Sequence, residues 1–423
     1  MEKILKKIKS AIPHSLFEAL QPAYHYLLAF TGAARYGFPS RQIYVVGVTG
    51  TKGKTSTTEL TAAILEAAGY KVALTNTRQF KLAEHSEKNL TKRSMLGRTR
   101  LQQFLRKAVD AKCEYAIIEM TSEGAKQFRH KFLDLDALIF TNLSPEHIES
   151  HGSYEKYVDA KVSFARALEK GDAREHTIIA NRDDAEAKRF LSVNVGMKIS
   201  FGILDARPFT TTTEGGTLTF RGKLIRIKLP GEFNVLNALA AATFAESRGI
   251  ATETIKKTLE KFTLVHGRME RVDEGQNFSV IVDYAHTADS LDRAYRIYNG
   301  VQKICILGGT GGGRDISKRK VMGGVADKHC EYIILTTEDP YDELPEKIAA
   351  DVAEGIQKHS YEFILDRREA MRRAFQMAKK GAVVFITGKG DGPYIMGPNG
   401  LRTPWNDATV AREELKRVKT NMQ

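Results

Sequence analysis

The chain of 423 residues is long enough for two or three domains, and its 42% hydrophobic content is sufficient for globular cores. The formal net charge of +13 indicates either a generally basic surface or attraction to an anionic substrate. Because the sequence carries neither zinc-finger spacing nor an RNA-binding signature, we expect no nucleic-acid partner. The cysteines Cys113, Cys305 and Cys330 show no CxxC spacing and lie in or beside apolar runs, so we expect buried structural residues of a cytoplasmic protein.

The first forty residues predict a short helical segment. They start with the basic, amphipathic stretch MEKILKKIKS and continue with an apolar stretch that Glu18, Gln21, Pro22 and His25 interrupt. This stretch is too broken for a membrane span, and it lacks the long uninterrupted apolar core of a signal peptide. We expect helices that pack on the body of the protein, with a peripheral membrane helix as the alternative.

A glycine- and lysine-rich turn follows at residues 47–58, which read GVTGTKGKTSTT, between the β-branched run IYVV and a stretch with helical spacing. Glycines allow the backbone to curl so that several N–H groups point inward, and a helix N-terminus adds partial positive charge. The turn resembles the phosphate-binding pattern G-x-x-x-x-G-K-[ST], although the stretch from Gly47 to Thr55 is one residue longer. Against the alternative of an ordinary turn, it predicts a nucleotide-phosphate site formed by Gly50, Thr51, Lys52, Gly53, Lys54, Thr55 and Ser56.

Apolar runs then alternate with helical patterns up to about residue 200, which predicts a mostly parallel sheet covered by helices. These runs end at Val48, Met120, Thr141 and Ala180. The stretch 210–231 instead alternates apolar and polar residues around glycines, which indicates antiparallel hairpins. A helix is predicted over 234–249.

After His266 the alternation restarts, and the runs SVIVDYA, KICILGG, YIILTTED and AVVFITGKG predict a second doubly wound sheet. Ligands bind such sheets at the carboxyl ends of the strands. The predicted fold is therefore α/β: a central P-loop ATPase-like doubly wound domain with a small antiparallel β part, followed by a Rossmann-like α/β domain. The predicted boundaries are 1–40 for the helical segment, 41–265 for the central domain and 266–423 for the C-terminal domain.

Several motifs in order resemble those of the Mur ligase family, the ATP-dependent amide-bond-forming enzymes of peptidoglycan synthesis. GVTGTKGKTSTT is similar to the phosphate loop of that family, with Lys52 in place of its usual asparagine. IIEMTSEG (117–124), FTNLSPEHIESHGSYEKYVDAK (140–161), GEFNVLNALAA (231–241), HGRME (266–270) and DYAHTADSL (283–291) follow in the family's order. The last two resemble the branch of UDP-N-acetylmuramoyl-tripeptide synthetases.

The resemblance implies that ATP phosphorylates a substrate carboxylate and that the amine of an amino acid attacks the acyl phosphate. Such anionic species require metal and fixed cations. The resemblance implies Lys54 on the β/γ-phosphates, Thr55 and Glu119 on Mg²⁺, and His147 on a second Mg²⁺. It also implies that Lys161 is carbamylated and that its new carboxylate helps to bind the second Mg²⁺, whereas a helix lysine by itself indicates a solvated charge.

The remaining carried-over residues are divided between nucleotide and substrate. The resemblance implies Asn237 on the adenine, Arg268 on the phosphates from the C-terminal domain, and Asp283 on the ribose with His286 close by. Because both domains supply residues, it also implies that domain closure assembles the site. Thr121, Ser122 and Arg129 match positions that hold the muropeptide substrate in this branch.

The sequence also departs from the family pattern. The tripeptide synthetases normally begin with a uridine-binding domain of about a hundred residues, whereas only some forty residues precede the first strand here. The acceptor motif Asp-Asn-Pro-Arg of the meso-diaminopimelate enzymes reads EDPYDE (338–343), without an arginine, and Gly-Lys-Gly-His-Glu reads GKGDG (388–392).

The missing arginine bears on the amino acid that is added. A distal carboxylate is best bound by an arginine fork. Crowded acidic residues instead predict a side chain that ends in an ammonium, such as lysine or ornithine. Meso-diaminopimelate is the alternative, because Arg314 is available for a carboxylate. The predicted acceptor residues are Arg314, Asp339, Asp342, Glu343 and Asp391.

The leading hypothesis is therefore an ATP- and Mg²⁺-dependent, monomeric, cytoplasmic ligase that adds an amino acid to UDP-N-acetylmuramoyl-L-alanyl-D-glutamate. A second hypothesis within the fold is a folylpolyglutamate or cyanophycin-type synthetase. The motif DYAHT argues against the first of these, and the lack of an extra ATP-binding module argues against the second. A third is a non-catalytic nucleotide-binding regulator or membrane-tethered scaffold, and the joint presence of Lys54, Thr55, Glu119, Arg268 and Asp283 argues against it.

Overall fold

The computed structural model describes residues 14–91, 93–146, 148–169, 175–313 and 316–422. The predicted basic amphipathic start at 1–10 lies outside these ranges. The chain forms two compact units. The first extends to Ile203 and includes Leu236–Ile255, and the second comprises Leu204–Val235 and the chain from Lys256 onward.

The first unit is built on an eight-stranded sheet with the order β4-β3-β2-β5-β1-β6-β7-β8. Six strands are parallel, and β3 and β4 form antiparallel pairs at one edge. The strands are β1 (Tyr44–Thr49), β2 (Val72–Thr75), β3 (Gln79–Leu82), β4 (His85–Lys88), β5 (Tyr115–Met120), β6 (Ala137–Phe140), β7 (Thr177–Asn181) and β8 (Met197–Phe201).

Seven helices of the described residues lie wholly in this unit. They are α1 (His14–Arg35), α2 (Lys54–Ala67), α3 (Arg98–Asp110), α4 (Ser122–Lys126), α5 (Ile148–His151), α6 (Tyr154–Leu168) and α7 (Ala187–Leu191). Helix α3 shows why they cover the sheet: Leu101, Phe104, Leu105 and Ala108 recur at helical spacing, and all four are buried in the core. The predicted alternation of buried strands and amphipathic helices is confirmed.

Helix α1 packs through its small residues. A Cβ added to Gly32 would lie 3.1 Å from the Cα of Thr99, so the backbones of α1 and α3 approach closely there. Ala29 and Ala33 are buried on the same face, whereas Leu20, Tyr24 and Leu27 are each about half exposed. Among the described residues, no helix has both the length and the apolar character that a membrane crossing requires.

The second unit contains a six-stranded sheet with the order β12-β13-β17-β14-β15-β16, in which only β12 is antiparallel. Its strands are β12 (Glu270–Val272), β13 (Ser279–Asp283), β14 (Lys303–Leu307), β15 (Tyr332–Leu335), β16 (Tyr361–Phe363) and β17 (Val383–Thr387). Alternate residues of β17 enter two different cores, Val383 and Phe385 on one face and Val384 and Ile386 on the other. This sheet is therefore covered on both faces, as predicted for a doubly wound fold.

Smaller elements accompany this sheet. The predicted hairpins are confirmed as β9 (Thr210–Thr211), β10 (Gly216–Phe220) and β11 (Lys223–Ile227), and β18 (Tyr394–Met396) pairs with β19 (Arg402–Pro404). The hairpins belong to the second unit, and the predicted boundary at 265 stays a prediction. The helices wholly in this unit are α10 (Ala288–Arg296), α11 (Ser317–His329), α12 (Pro345–Ala353), α13 (Arg367–Met377) and α14 (Asp407–Met422). Helix α8 (Glu232–Ser247) lies mostly in the first unit, and the division after Ile255 falls within α9 (Thr252–Lys261).

The cysteines are all buried, as predicted, but two of them are bonded to each other. Cys305 on β14 forms a disulfide with Cys330, and Cys113 is free. The residues lie 25 positions apart in the sequence. The parallel pairing of β14 with β15 brings the two chain segments together, and this contact is invisible in the cysteine spacing.

One buried histidine gives the first unit a pH-dependent stability. The ring of His130 packs edge-on against Phe164, with 5.0 Å between ring centroids, and neither ring nitrogen has a hydrogen-bond partner among the described residues. Burial lowers the pKa of His130 to about 3, well below the ordinary value of 6.5. Between these two pH values the unfolded chain binds a proton that the folded chain excludes, so stability is lost as the pH falls below 6.5.

We expect His130→Phe to remove this pH dependence. Between pH 7 and pH 5 the wild type should lose about 2 kcal/mol of unfolding free energy through His130, because one pKa unit corresponds to about 1.4 kcal/mol. His130→Phe should not show this loss. Urea unfolding at both pH values measures the difference. The exposed His85 provides the control, since His85→Phe should leave the wild-type slope unchanged. Equal slopes for His130→Phe and the wild type would contradict the assignment.

Candidate functional site

The turn between β1 and α2 needs glycine at two positions because other chain segments approach it closely. Gly50 has φ 150° and Gly53 has φ 83°, both in the region that favours glycine. A Cβ at Gly50 would lie 2.0 Å from Thr141 Oγ1, and one at Gly53 would lie 2.3 Å from Asn237 Oδ1. The glycines therefore allow the turn to close between the end of β6 and helix α8.

The FTNL segment after β6 fixes the shape of this turn. The N–H of Thr51 donates to the carbonyl of Asn142 at 2.7 Å, and the N–H of Lys52 donates to Asn142 Oδ1 at 3.0 Å. Lys52 Nζ forms an ion pair with Glu146 at 3.0 Å. β6 lies beside β1 in parallel register, so the carboxyl ends of both strands meet at this point.

Two residues at the start of α2 carry the groups expected to meet phosphate and metal. Lys54 Nζ lies 3.0 Å from the carbonyl of Gly50 and 2.8 Å from that of Thr51, directly over the turn. Thr55 Oγ1 donates to Glu119 Oε2 at 3.0 Å, and both residues are buried. The structure thus brings Lys54, Thr55 and Glu119 together, and Ser56 is buried beside them.

The donor set suits Mg²⁺. A hydroxyl and a carboxylate are hard oxygen ligands, and Mg²⁺ typically takes one or two carboxylates together with substrate phosphates. Among the described residues no group of three His, Cys, Asp or Glu side chains could hold a metal by itself. Thr55 and Glu119 therefore fit a metal that is bound together with nucleotide phosphates.

Lys161 is buried at the same turn. It lies on α6, its Nζ donates to the carbonyl of Gly50 at 2.6 Å, and the ammonium lies 5.0 Å from the ring centroid of Tyr157. Burial, together with the positive charge of Lys54, lowers the pKa of Lys161 well below its ordinary value. The alternative of a solvated surface lysine does not apply.

The other predicted residues of this unit have mixed surroundings. Asn237 on α8 is buried beside Gly53, and its Oδ1 accepts a hydrogen bond from Thr57 Oγ1 at 3.4 Å. Thr121 caps α4 by accepting a hydrogen bond from the N–H of Gly124 at 3.1 Å. Ser122 is buried in the first turn of α4. His147 and Arg314 lie outside the described residues.

Arg129 is a buried cation whose closest partners are neutral oxygens. Its Nη1 donates to the carbonyl of Met95 at 2.6 Å, and its Nη2 donates to Gln127 Oε1 at 2.8 Å. Burial and the nearby charge of Arg93 lower the pKa of Arg129 to about 10. Such a guanidinium is suited to bind an anionic substrate group.

In the second unit, three predicted nucleotide residues meet at the carboxyl end of β13. Asp283 Oδ2 accepts from the N–H of Met269 at 2.7 Å, which joins the strand to the HGRME segment. The guanidinium of Arg268 lies 4.3 Å from the ring centroid of Tyr284, and His286 Nδ1 lies 2.7 Å from the carbonyl of Tyr284. Sequence reasoning did not identify Tyr284 as the support of this group.

The predicted acidic acceptor pocket is largely neutralised from within. Asp339 pairs with Lys389 at 2.7 Å, and Asp342 accepts a hydrogen bond from the N–H of Asn399 at 2.6 Å. Glu343 forms a bidentate ion pair with Arg319, and that contact lowers the pKa of Glu343 to about 2. The crowding of free negative charge, on which the ammonium-pocket argument rests, is therefore smaller than the sequence indicates.

Arg319 is a structural centre that sequence reasoning missed. Its side chain is fully buried on α11, and besides Glu343 it donates to Asp351 at 2.7 Å and to the carbonyl of Thr310 at 2.9 Å. One guanidinium thus holds the glycine-rich loop after β14, the loop after β15 and helix α12. No signal in the stretch SKRK distinguishes this arginine from its exposed neighbours.

The first unit has the architecture of a nucleotide-binding protein with a P-loop: a glycine-rich turn on a doubly wound sheet, with lysine, threonine and a buried carboxylate at its mouth. Comparison with known proteins agrees. Residues 48–245 match the Mur ligase middle domain, and residues 267–390 match the Mur ligase, glutamate ligase domain.

The chain is also similar to individual relatives. It is 36% identical over 416 residues to a UDP-N-acetylmuramyl-tripeptide synthetase of Roseiflexus sp. (strain RS-1), covering 92% of this chain and 81% of that protein. It is 34% identical over 407 residues to a UDP-N-acetylmuramoyl-L-alanyl-D-glutamate--2,6-diaminopimelate ligase of Geobacillus kaustophilus (strain HTA426), covering 92% and 82%. A solved structure of a ligase with that name gives a TM-score of 0.60 at 28% identity, covering 90% of this chain and 79% of that one.

The chain belongs to the Mur ligase family, whose members are ATP-dependent amide-bond synthetases. The predictions of the family, of the α/β fold class and of an ATP-using ligase are confirmed at this level. The roles of individual site residues stay predictions.

We expect Arg319→Met to destabilise the second unit strongly. The change leaves the carboxylates of Glu343 and Asp351 without their counter-charge, which in a buried pair costs about 3–5 kcal/mol. Because both carboxylates are partly open to water, we expect a loss of about 2–4 kcal/mol in urea unfolding. Lys320→Met, one position along α11 and largely exposed, should change stability by less than about 0.5 kcal/mol. Equal stability of the two variants would contradict the structural role of Arg319.

Proposed function

We propose that the protein is an ATP-dependent ligase that joins an amino acid to UDP-N-acetylmuramoyl-L-alanyl-D-glutamate. The observation that carries the proposal is the placement of Lys54 and Lys161 on the carbonyl of Gly50, next to the hydrogen-bonded and buried pair of Thr55 and Glu119. The arrangement concentrates two lysines and two oxygen ligands where a nucleotide phosphate chain would enter. The names of the relatives supply the substrate class.

In this proposal the chain's own residues bind and orient the charged groups. Lys54 contacts the β/γ-phosphates of ATP, and the N-terminus of α2 adds partial positive charge there. Thr55 and Glu119 would hold Mg²⁺, which would supply charge neutralisation on the phosphates. The carboxylate of the acyl substrate attacks the γ-phosphorus, ADP leaves, and the acceptor amine then displaces phosphate from the acyl phosphate to form the amide.

Arg129, Thr121 and Ser122 are proposed to hold the acyl substrate. Arg129 is buried without a carboxylate partner among the described residues, which suits recognition of an anionic group. Arg268, Asp283, His286 and Asn237 are proposed nucleotide contacts. Their packing is compatible with that role and also stabilises the fold.

Different observations favour two candidate acceptors. Meso-diaminopimelate is favoured by the name of the Geobacillus kaustophilus relative and by the internal neutralisation of Asp339 and Glu343. Lysine or ornithine is favoured by the lack of an arginine in EDPYDE. We propose meso-diaminopimelate as the acceptor, with a lysine-like acceptor as the second candidate.

The test is ligation of the UDP-muramoyl dipeptide with equimolar meso-diaminopimelate, lysine and ornithine in direct competition, read by product mass. We expect the meso-diaminopimelate product to exceed the others tenfold or more, which corresponds to about 1.4 kcal/mol in transition-state binding. A dominant lysine or ornithine product would overturn the acceptor assignment. No ATP-dependent product with any amino acid would overturn the ligase itself.

Lys54→Ala is the catalytic control for this assay. Loss of one fixed charge from such a site typically lowers the rate on the order of a hundredfold or more. The variant should retain the wild-type melting temperature, because Lys54 is only partly buried and its Nζ donates to the carbonyls of Gly50 and Thr51 within the turn. Near-normal turnover of the folded variant would contradict the phosphate-loop role.

We further propose that Lys161 is carbamylated. Its buried position against Gly50 disfavours the charged ammonium, and carbamylation requires a neutral amine. Lys161→Ala should be nearly inactive and should regain part of its activity when small carboxylates are added. Labelled carbon dioxide should give a carbamate signal by NMR in the wild type that Lys161→Ala lacks. Lys156→Ala, exposed on the same helix, should behave as the wild type, and a wild type without the signal would contradict the modification.

The remaining proposed properties concern partners. We propose a monomer without nucleic-acid partners that acts in the cytoplasm. The half-exposed side chains of Leu20, Tyr24 and Leu27 on α1 support peripheral membrane contact of residues 1–40 as an additional property.

A further inference from the structure

The first unit carries a cluster of three arginines that are not part of the phosphate loop: Arg93, Arg98 and Arg129, here called the arginine cluster. Arg98 Nη1 donates to the carbonyl of Gln127 at 2.6 Å, and Arg129 Nη2 donates to Oε1 of the same residue at 2.8 Å. Arg93 Nη1 lies 3.9 Å from the position that a Cβ would take at Gly97, the residue before Arg98. The segment 93–98 and the turn after α4 thus bring three guanidiniums to one place.

The three positive charges of the arginine cluster exceed the single negative charge of Glu123 beside them. Among the described residues, none of the three guanidiniums forms an ion pair with a carboxylate. Glu123 is the acidic residue beside Arg129, and its two oxygens accept hydrogen bonds from Gln127 and Ser150. Burial together with Arg98 and Arg129 lowers the pKa of His25, which favours the neutral ring beside the arginine cluster.

The arginine cluster also lies next to the predicted metal residue. Ser94, adjacent to Arg93, is 2.7 Å from Thr77 through their hydroxyl oxygens, and the N–H of Thr77 donates to Glu119 at 2.8 Å. Helix α3 begins at Arg98, and its N-cap Gly97 supplies no side-chain cap. The partial positive charge of this 13-residue helix therefore adds to that of the guanidiniums.

We propose that the arginine cluster binds an oxyanion of the acyl substrate, an inference that rests on the proposed function. Guanidinium groups match the geometry of phosphate and carboxylate oxygens through paired N–H donors. The UDP-muramoyl dipeptide offers two such groups, the pyrophosphate of its nucleotide and the carboxylates of its peptide. Arg93 and Arg98 thereby extend the substrate site beyond Arg129.

The direct test measures binding of the UDP-muramoyl dipeptide to the full chain by calorimetry, without ATP. Arg98→Gln and Arg93→Gln should each raise Kd about tenfold, and Arg98→Lys, which keeps the charge but loses the fork, should fall between Arg98→Gln and the wild type. Arg100→Gln is the matched control, because this exposed arginine lies two positions further along α3, on another face of the helix. Its Kd should stay within twofold of the wild-type value.

A second ligand identifies the oxyanion. Muramoyl dipeptide without the nucleotide should bind the wild type and Arg98→Gln equally if the arginine cluster holds the pyrophosphate. The same tenfold loss for this ligand places the cluster on a peptide carboxylate. Either result supports the proposal, and Kd values of Arg98→Gln and Arg93→Gln within twofold of the wild type for both ligands would overturn it.

The experiments distinguish failure of the arginine-cluster proposal from failure of the proposed ligase function. A wild type that binds the UDP-muramoyl dipeptide tightly but ligates no amino acid contradicts the ligase and leaves the arginine cluster supported. A wild type that binds neither ligand overturns the proposal that the arginine cluster binds the acyl substrate. If Arg98→Gln melts far below the wild type, Arg93→Gln decides, because Arg93 is exposed and its change should leave the fold intact.

Discussion

The close approach of three chain segments to the turn Gly50–Gly53 is the constraint on which the rest of the first unit depends. Thr141 and Asn237 occupy the space that a Cβ at Gly50 or Gly53 would need, and Lys161 donates to the Gly50 carbonyl. Because β1 lies between β5 and β6 in parallel register, the carboxyl ends of all three strands meet there. The sheet therefore decides which side chains surround the turn.

The charges around this turn indicate which ligands it suits. Lys54 and Lys161 lie against the same carbonyl, and Lys52 adds a third positive charge that Glu146 compensates. Lys161 is buried and Lys54 is partly buried, and two ammonium groups at one point repel each other unless an anion or a modification intervenes. An ATP-dependent carboxylate activation supplies such anions as phosphates and as an acyl phosphate, so the positive charge of the turn is matched to its proposed reactants.

The second unit is organised by internal ion pairs. Arg319 joins two strand-end loops to α12, and Arg367 on α13 forms a fully buried pair with Asp407 while donating to the carbonyl of Thr387. Burial and Asp339 raise the pKa of Glu338, which lies beneath the same loops. In these contacts several charged side chains stabilise the fold. The acidic residues after β15 are therefore weaker evidence about the acceptor than their number indicates.

The sequence by itself determined the strands, most helices, the phosphate turn and the family. These features depend on local periodicity, on glycine spacing and on motifs in order, all of which are written along the chain. Lys54, Thr55 and Glu119 were predictable because their neighbours in sequence carry the signal. Tertiary structure alone decided that Lys161 is buried on Gly50, that Cys305 bonds to Cys330 and that Glu343 is neutralised by Arg319. It also brought Arg93, Arg98 and Arg129 together. Each of these contacts joins residues on different elements, and a side chain's solvation and charge partners are set by such packing rather than by its sequence neighbours.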